Sequence, residues 1–148
     1  MKQISSKQRV WIARILIGSV FLINVQCALL FIWAPGDYSY SFELSGAPGA
    51  AAVRAIGVLF LMWNVPYAFA LFNPVKYRNS LVEAMIMQAI GLVGESLILS
   101  MLPAQYAIAR LSITRFIIFD GAGLLALLLA AWISLNNSAK AGSPAGGR

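Results

Sequence analysis

The chain has 148 residues, 60% of them hydrophobic and 11% charged, against about 25% charged residues in an average soluble domain. That balance excludes an ordinary soluble domain and implies an integral membrane protein. The formal net charge of +6 does not imply nucleic acid, because the basic residues divide between the N-terminus, one joint and the tail and form no patch.

Cys27 is the single cysteine and there is no histidine. An internal disulfide, a His-held haem and most zinc sites are therefore excluded, and no metal or cofactor is expected. The opening stretch MKQISSKQRVWIARILIGSVFLINVQCALLF starts as a signal peptide does, with a basic lead and an apolar run. It is too long and lacks an A-x-A site. Asn24, Val25 and Gln26 before Cys27 do not make a lipoprotein processing site either, so the stretch is expected to be a retained helix.

Span one is expected over about residues 10–34, with Pro35, Gly36 and Asp37 breaking it. The joint APGDYSYSFELSGAPG follows, in which Tyr38, Tyr40 and Phe42 alternate. Together with Trp33 they read either as an interfacial aromatic belt or as a lid over a pocket. Span two covers about 49–72 and ends at Asn73 and Pro74. Inside it, Pro66 removes a hydrogen bond to the carbonyl of Met62, and Asn64 is placed to repair that backbone. Ser80 and Glu83 have capping-box spacing, which accounts for Glu83 and starts span three at about 81–102, stopped by Pro103. Span four covers about 112–134. The expected architecture is all-α: an antiparallel four-helix membrane bundle in one domain over residues 1–136, with a disordered cytoplasmic tail over 137–148. The two halves show no alignable repeat.

Lys2, Lys7, Arg9, Arg14, Lys76, Arg78, Lys140 and Arg148 all fall on one side of this arrangement. The opposite joints hold Asp37, Glu43 and only one basic residue, Arg110. The positive-inside rule then puts both termini in the cytoplasm and the chain in the inner membrane, and such an asymmetry disfavours dual topology.

Counting inward from the outer helix ends at about 1.5 Å per residue, Arg115 lies about 5 Å deep and Arg54 about 7 Å, while Glu95, Asp120 and Gln26 share a level near 12 Å. Charges placed in hydrocarbon require a reason. Arg115 and Asp120 are about 140° apart around one helix, so their partners must come from other helices, and Arg54 is expected to pair with Glu95. Gly57, Gly91, Gly121 and Gly123 beside these groups permit close helix approach. Gln88, Gly91 and Glu95, spaced i, i+3, i+7, form a narrow polar stripe expected to face the bundle axis.

The stretch VRAIGVLFLMWNVPYAFALFNPVKYR resembles the second helix of small four-helix membrane proteins of the DoxX-like kind, in which Arg then Gly opens the helix and Pro with basic residues closes it. The resemblance implies a four-helix bundle and assigns no functional residue.

Three functions fit these residues. One is an outer-half cavity for a small polar, amphiphilic or anionic ligand, to be bound or transported, in which Arg54 and Arg115 attract an anionic group and Glu95, Asp120, Gln26, Gln88 and Asn64 complete the site. A second is an accessory or assembly subunit, or a homo-oligomer, with the charged layer fixing helix register and the lipid-facing surface meeting partner subunits. The third is an enzyme acting on a lipid or isoprenoid, with Glu95 or Asp120 as acid and base. No nucleophile or cofactor motif accompanies it. A cavity reaching both acids would favour ligand or substrate; sealed ion pairs would favour assembly.

Overall fold

The computed structural model describes residues 5–135. All their regular structure is helical: α1 (Ser6–Trp33), α2 (Pro35–Ser39) with a 3-10 turn (Tyr40–Phe42), α3 (Gly46–Phe72), α4 (Arg78–Met101) and α5 (Ala107–Leu135). The four long helices are each long and apolar enough to cross a membrane. In hydrocarbon every backbone donor and acceptor must be satisfied within the segment, which is why these apolar runs are helical. The expected all-α bundle is what forms, while the expected tail over 137–148 lies outside the described residues. Each long helix starts about one turn before its hydrophobic stretch, because the backbone keeps winding through the polar residues that precede it.

Two helix starts differ from expectation. The first is closed by a capping box: the Gln8 backbone N–H donates to Ser5 Oγ (3.3 Å), and the Ser5 backbone N–H donates to Gln8 Oε1 (2.9 Å). The Ser80 and Glu83 box does not form. Helix α4 already begins at Arg78, with Tyr77 at its N-cap and no side-chain cap, so Ser80 lies within its first turn. The chain turns earlier because Asn73 Oδ1 accepts from the N–H groups of Val75 (3.1 Å) and Lys76 (3.0 Å), with Pro74 between them.

The long helices form a ring in which α1 packs on α3 and α5, and α4 packs on α5 and, more loosely, on α3. At the end of the bundle where α1 starts, Ala13, Ile17, Val20, Ala70, Leu81, Ala84, Leu127 and Ala130 are buried together with Tyr67. Small residues let the backbones approach there. Further along, Gly57 brings α3 against α1: a Cβ on it would stand 2.8 Å from the Ala28 carbonyl oxygen. The outside of the ring is greasy, with Trp11, Ile15, Met62, Val93, Leu125 and Trp132 exposed as a lipid-facing surface requires.

The far end is built differently. Helix α2 and its 3-10 turn fold back over the bundle, and left-handed Glu43 (φ 54°) and Gly46 (φ 65°) return the chain to α3. Phe31, 3% exposed, gathers Tyr38, Phe42, Phe60 and Phe116 around it, with ring centroids 5.1 to 6.3 Å away. Between this aromatic roof and the small-residue core lies an unfilled space.

Candidate functional site

The floor of that space is a polar chain across three helices. The Tyr67 hydroxyl on α3 lies 3.1 Å from the Ala84 carbonyl of α4 and also reaches Gln88 Oε1. Gln88 Nε2 then donates to Asp120 Oδ1 on α5 at 2.8 Å. Tyr67 and Gln88 are 2% and 3% exposed, so the chain is sealed on the core side. Two glycines make room for it. A Cβ on Gly91 would collide with the Asp120 carboxylate, and one on Gly123 would stand 2.7 Å from Gln88 Nε2. Gly121 is less engaged, with only Leu92 near it, at 3.9 Å.

Above the floor is a cavity of about 600 Å³, within the range of pockets that hold small organic molecules. Asn64, Gln88, Gly91, Glu95 and Asp120 line it, so the polar stripe of α4 faces the bundle axis as its spacing implied. Most of the remaining wall is apolar or aromatic, including Ile56, Phe60, Trp63, Ile98, Phe116 and Phe119. Phe42 closes the top, stacked on Phe116 at 6.1 Å between centroids. The joint between α1 and α3 therefore supplies a lid, while Trp33 and Tyr40 of the same region remain exposed as an interfacial belt would.

Two of the lining residues each hold a buried acceptor without a partner. Asn64 is 4% exposed; its Nδ2 donates to the Phe60 carbonyl (2.7 Å), which fixes the amide orientation, and its Oδ1 is left unbonded. Its amide thus serves the carbonyl of Phe60, not that of Met62 as expected, because the latter lies half a turn further round the helix. Glu95 Oε2 is likewise buried and unbonded. A buried acceptor without a donor costs about 1–3 kcal/mol, so a donor brought within reach of either one by a small side-chain movement would be favoured.

The expected charged layer is thus brought together only in part. Glu95 and Asp120 do line one cavity, and Arg115 joins its wall from an exposed position. The acids are not level. Asp120 sits beside Gln88 and Gly91, about one turn deeper than Glu95, because α5 begins at Ala107 and not near Ser112. Arg54 is exposed and does not pair with Glu95; its Nε donates to the Ile32 carbonyl (3.1 Å) at the end of α1. Gln26 is exposed and outside the cavity lining. Its helix presents Asn24 and Cys27 instead, three apart on one face, and these two belong to the wall. Arg110, the exception to the charge asymmetry, donates from Nη1 to the carbonyls of Leu99 (3.0 Å) and Leu102, closing the end of α4.

Sequence reasoning offered Tyr38 and Phe42 as part of a lid but missed Tyr67 and the share of Phe31, Phe60 and Phe116 in the aromatic roof. The signal was present on α3, where Gly57, Phe60, Asn64 and Tyr67 recur at spacings of three and four and so share a face. Among the described residues no group of three or more Asp, Glu or Cys side chains is placed to hold a metal ion. Comparison with family models, curated proteins and solved structures finds no match for the chain.

Proposed function

We propose that this membrane protein binds one small amphiphilic molecule within its bundle, apolar body against the aromatic wall and polar head against the floor. The observation that carries this reading is a cavity of about 600 Å³, walled by apolar and aromatic side chains, that reaches both Glu95 and Asp120. Lipid is the natural source of entry, since α3 and α4 form the loosest seam of the ring and both contribute to the wall. The packed core beneath the floor favours binding; transport would need a second conformation in which that core parts. An enzyme using Glu95 or Asp120 would share this cavity but lacks a nucleophile or cofactor set to support it. We place both termini in the cytoplasm and the cavity in the outer half of an inner membrane, on the asymmetry of basic residues. Kinship with DoxX-like proteins belongs to the same proposal and rests on the α3 stretch alone.

A second reading, association with a partner membrane subunit or another copy, is favoured by Gln26. Its amide is exposed on the outside of α1, where lipid offers no hydrogen bond and a neighbouring helix would.

Gly94 separates these readings. It lines the cavity, and a Cβ on it would meet nothing within 4 Å. Gly94→Leu should therefore fill the space without a clash. Native mass spectrometry of protein released from its own membranes should show a small-molecule adduct on the natural chain and none on the variant, with helical content unchanged. Equal adducts on both, or none on either, would count against ligand binding.

A further inference from the structure

Resting on that reading, we infer that the bound molecule is a cationic amphiphile, a protonated amine on an apolar body. The wall carries donors in Arg115 and Trp63, but its carboxyl groups outnumber its cations. Asn64 Oδ1 and Glu95 Oε2 are buried and unbonded, and the Asp120 carboxylate, engaged by Gln88 through Oδ1, faces the same space. Two carboxyl groups stand against one cation, Arg115, among the lining residues. Arg54, which would have balanced them, is committed to the Ile32 carbonyl. An anionic head would meet Glu95 and Asp120 with only Arg115 to offset them, and like charges in a low-dielectric cavity repel strongly.

An ammonium group inverts this balance. It brings up to three N–H donors to a wall on which the Asp120 carboxylate faces the space, and it offsets the excess carboxylate. Its alkyl body would lie along Ile56, Phe60, Trp63 and Phe116, and the ring faces of the three aromatic residues also favour a nearby cation. A bare metal ion does not fit as well, because the described residues offer no cluster of three ligating side chains and most of the wall is apolar.

The test compares dodecylamine, dodecanol and dodecanoate on the full chain in nanodiscs of zwitterionic lipid, with empty nanodiscs as the reference. Trp63 lines the cavity but is also 42% exposed, so quenching of its fluorescence by brominated forms of each probe reports occupancy of the cavity after two subtractions. Trp63→Phe gives the background from the other tryptophans, and Gly94→Leu, with the cavity filled, gives the quenching that comes from the lipid side. The amine is expected to bind roughly tenfold tighter than the other two, or more, as a desolvated charge pair implies. In Glu95→Gln with Asp120→Asn that preference should vanish while dodecanol still binds. If dodecanol or dodecanoate matches the amine on the natural chain, the cationic inference is wrong and the amphiphile reading stands. If none of the three quenches Trp63, both fail. The probe series on the natural chain decides the matter even if the double variant does not fold.

Discussion

At the scale of single residues, two glycines on one helix have opposite meanings. Gly91 exists because the Asp120 carboxylate occupies the position of its missing side chain, whereas Gly94 faces empty cavity. Gly91→Ala should therefore destabilise the protein by about 1–3 kcal/mol through overpacking against a polar network. Gly94→Ala should be neutral or stabilising by up to about 1 kcal/mol through helix propensity. Unfolding titrations in detergent would check the contrast, and equal effects would mean that Asp120 does not sit where the floor places it. The sequence already showed that Gly91 belongs beside the polar stripe. It did not show which way span one is rotated: Gln26 and Asn24 differ by about 200° around a helix, and only the packing of α1 on α3 and α5 decides that Asn24 and Cys27 turn inward. Depth is legible from distance to a helix end; azimuth on a uniformly apolar helix is not.

At the scale of elements, the two helical hairpins use the same fastening. Arg54, early in α3, donates to a carbonyl at the end of α1, and Arg110, early in α5, donates to carbonyls at the end of α4. The last carbonyls of a helix have no partners within it, and a cation there also suits the helix dipole. This explains Arg54 at membrane depth, and Arg110 in the outer joint, without any acid to pair them. Because Arg54 and Glu95 do not touch, Arg54→Leu and Glu95→Leu should change stability additively, to within about 0.5 kcal/mol, in a double-mutant cycle. A larger coupling would restore the ion pair that depth counting alone suggested. The four spans themselves were legible because hydrocarbon thickness fixes their length. Their starts were not, since Asn73 and Pro74 set the beginning of α4 through turn chemistry, ahead of the more conspicuous Ser80 and Glu83.

At the scale of the whole molecule, the bundle is solid at one end and hollow at the other, with its aromatic lid made by a joint. If the positive-inside reading holds, the lid faces away from the cytoplasm. A cysteine introduced at Ser41, in a Cys27→Ser background, should then react with an impermeant thiol reagent in intact cells; reaction only after the membrane is opened would reverse the orientation. That Glu95 and Asp120 belong to a polar layer away from the start of α1 was legible from their distances to the helix ends. The shape of the cavity was not, because a void is made by what surrounds it, here rings drawn from α1, α3, α5 and the joint that no local pattern connects. The bond from Gln88 to Asp120 also bears on how the chain is made. Synthesis proceeds from the N-terminus, so the amide that receives the acid has already left the ribosome when the acid emerges. An acid entering lipid alone is opposed by about 2.5–3.5 kcal/mol, and here it enters beside a waiting donor on the preceding helix. Insertion of the last helix thus draws on its predecessor, and α4 with α5 forms a natural unit of biogenesis.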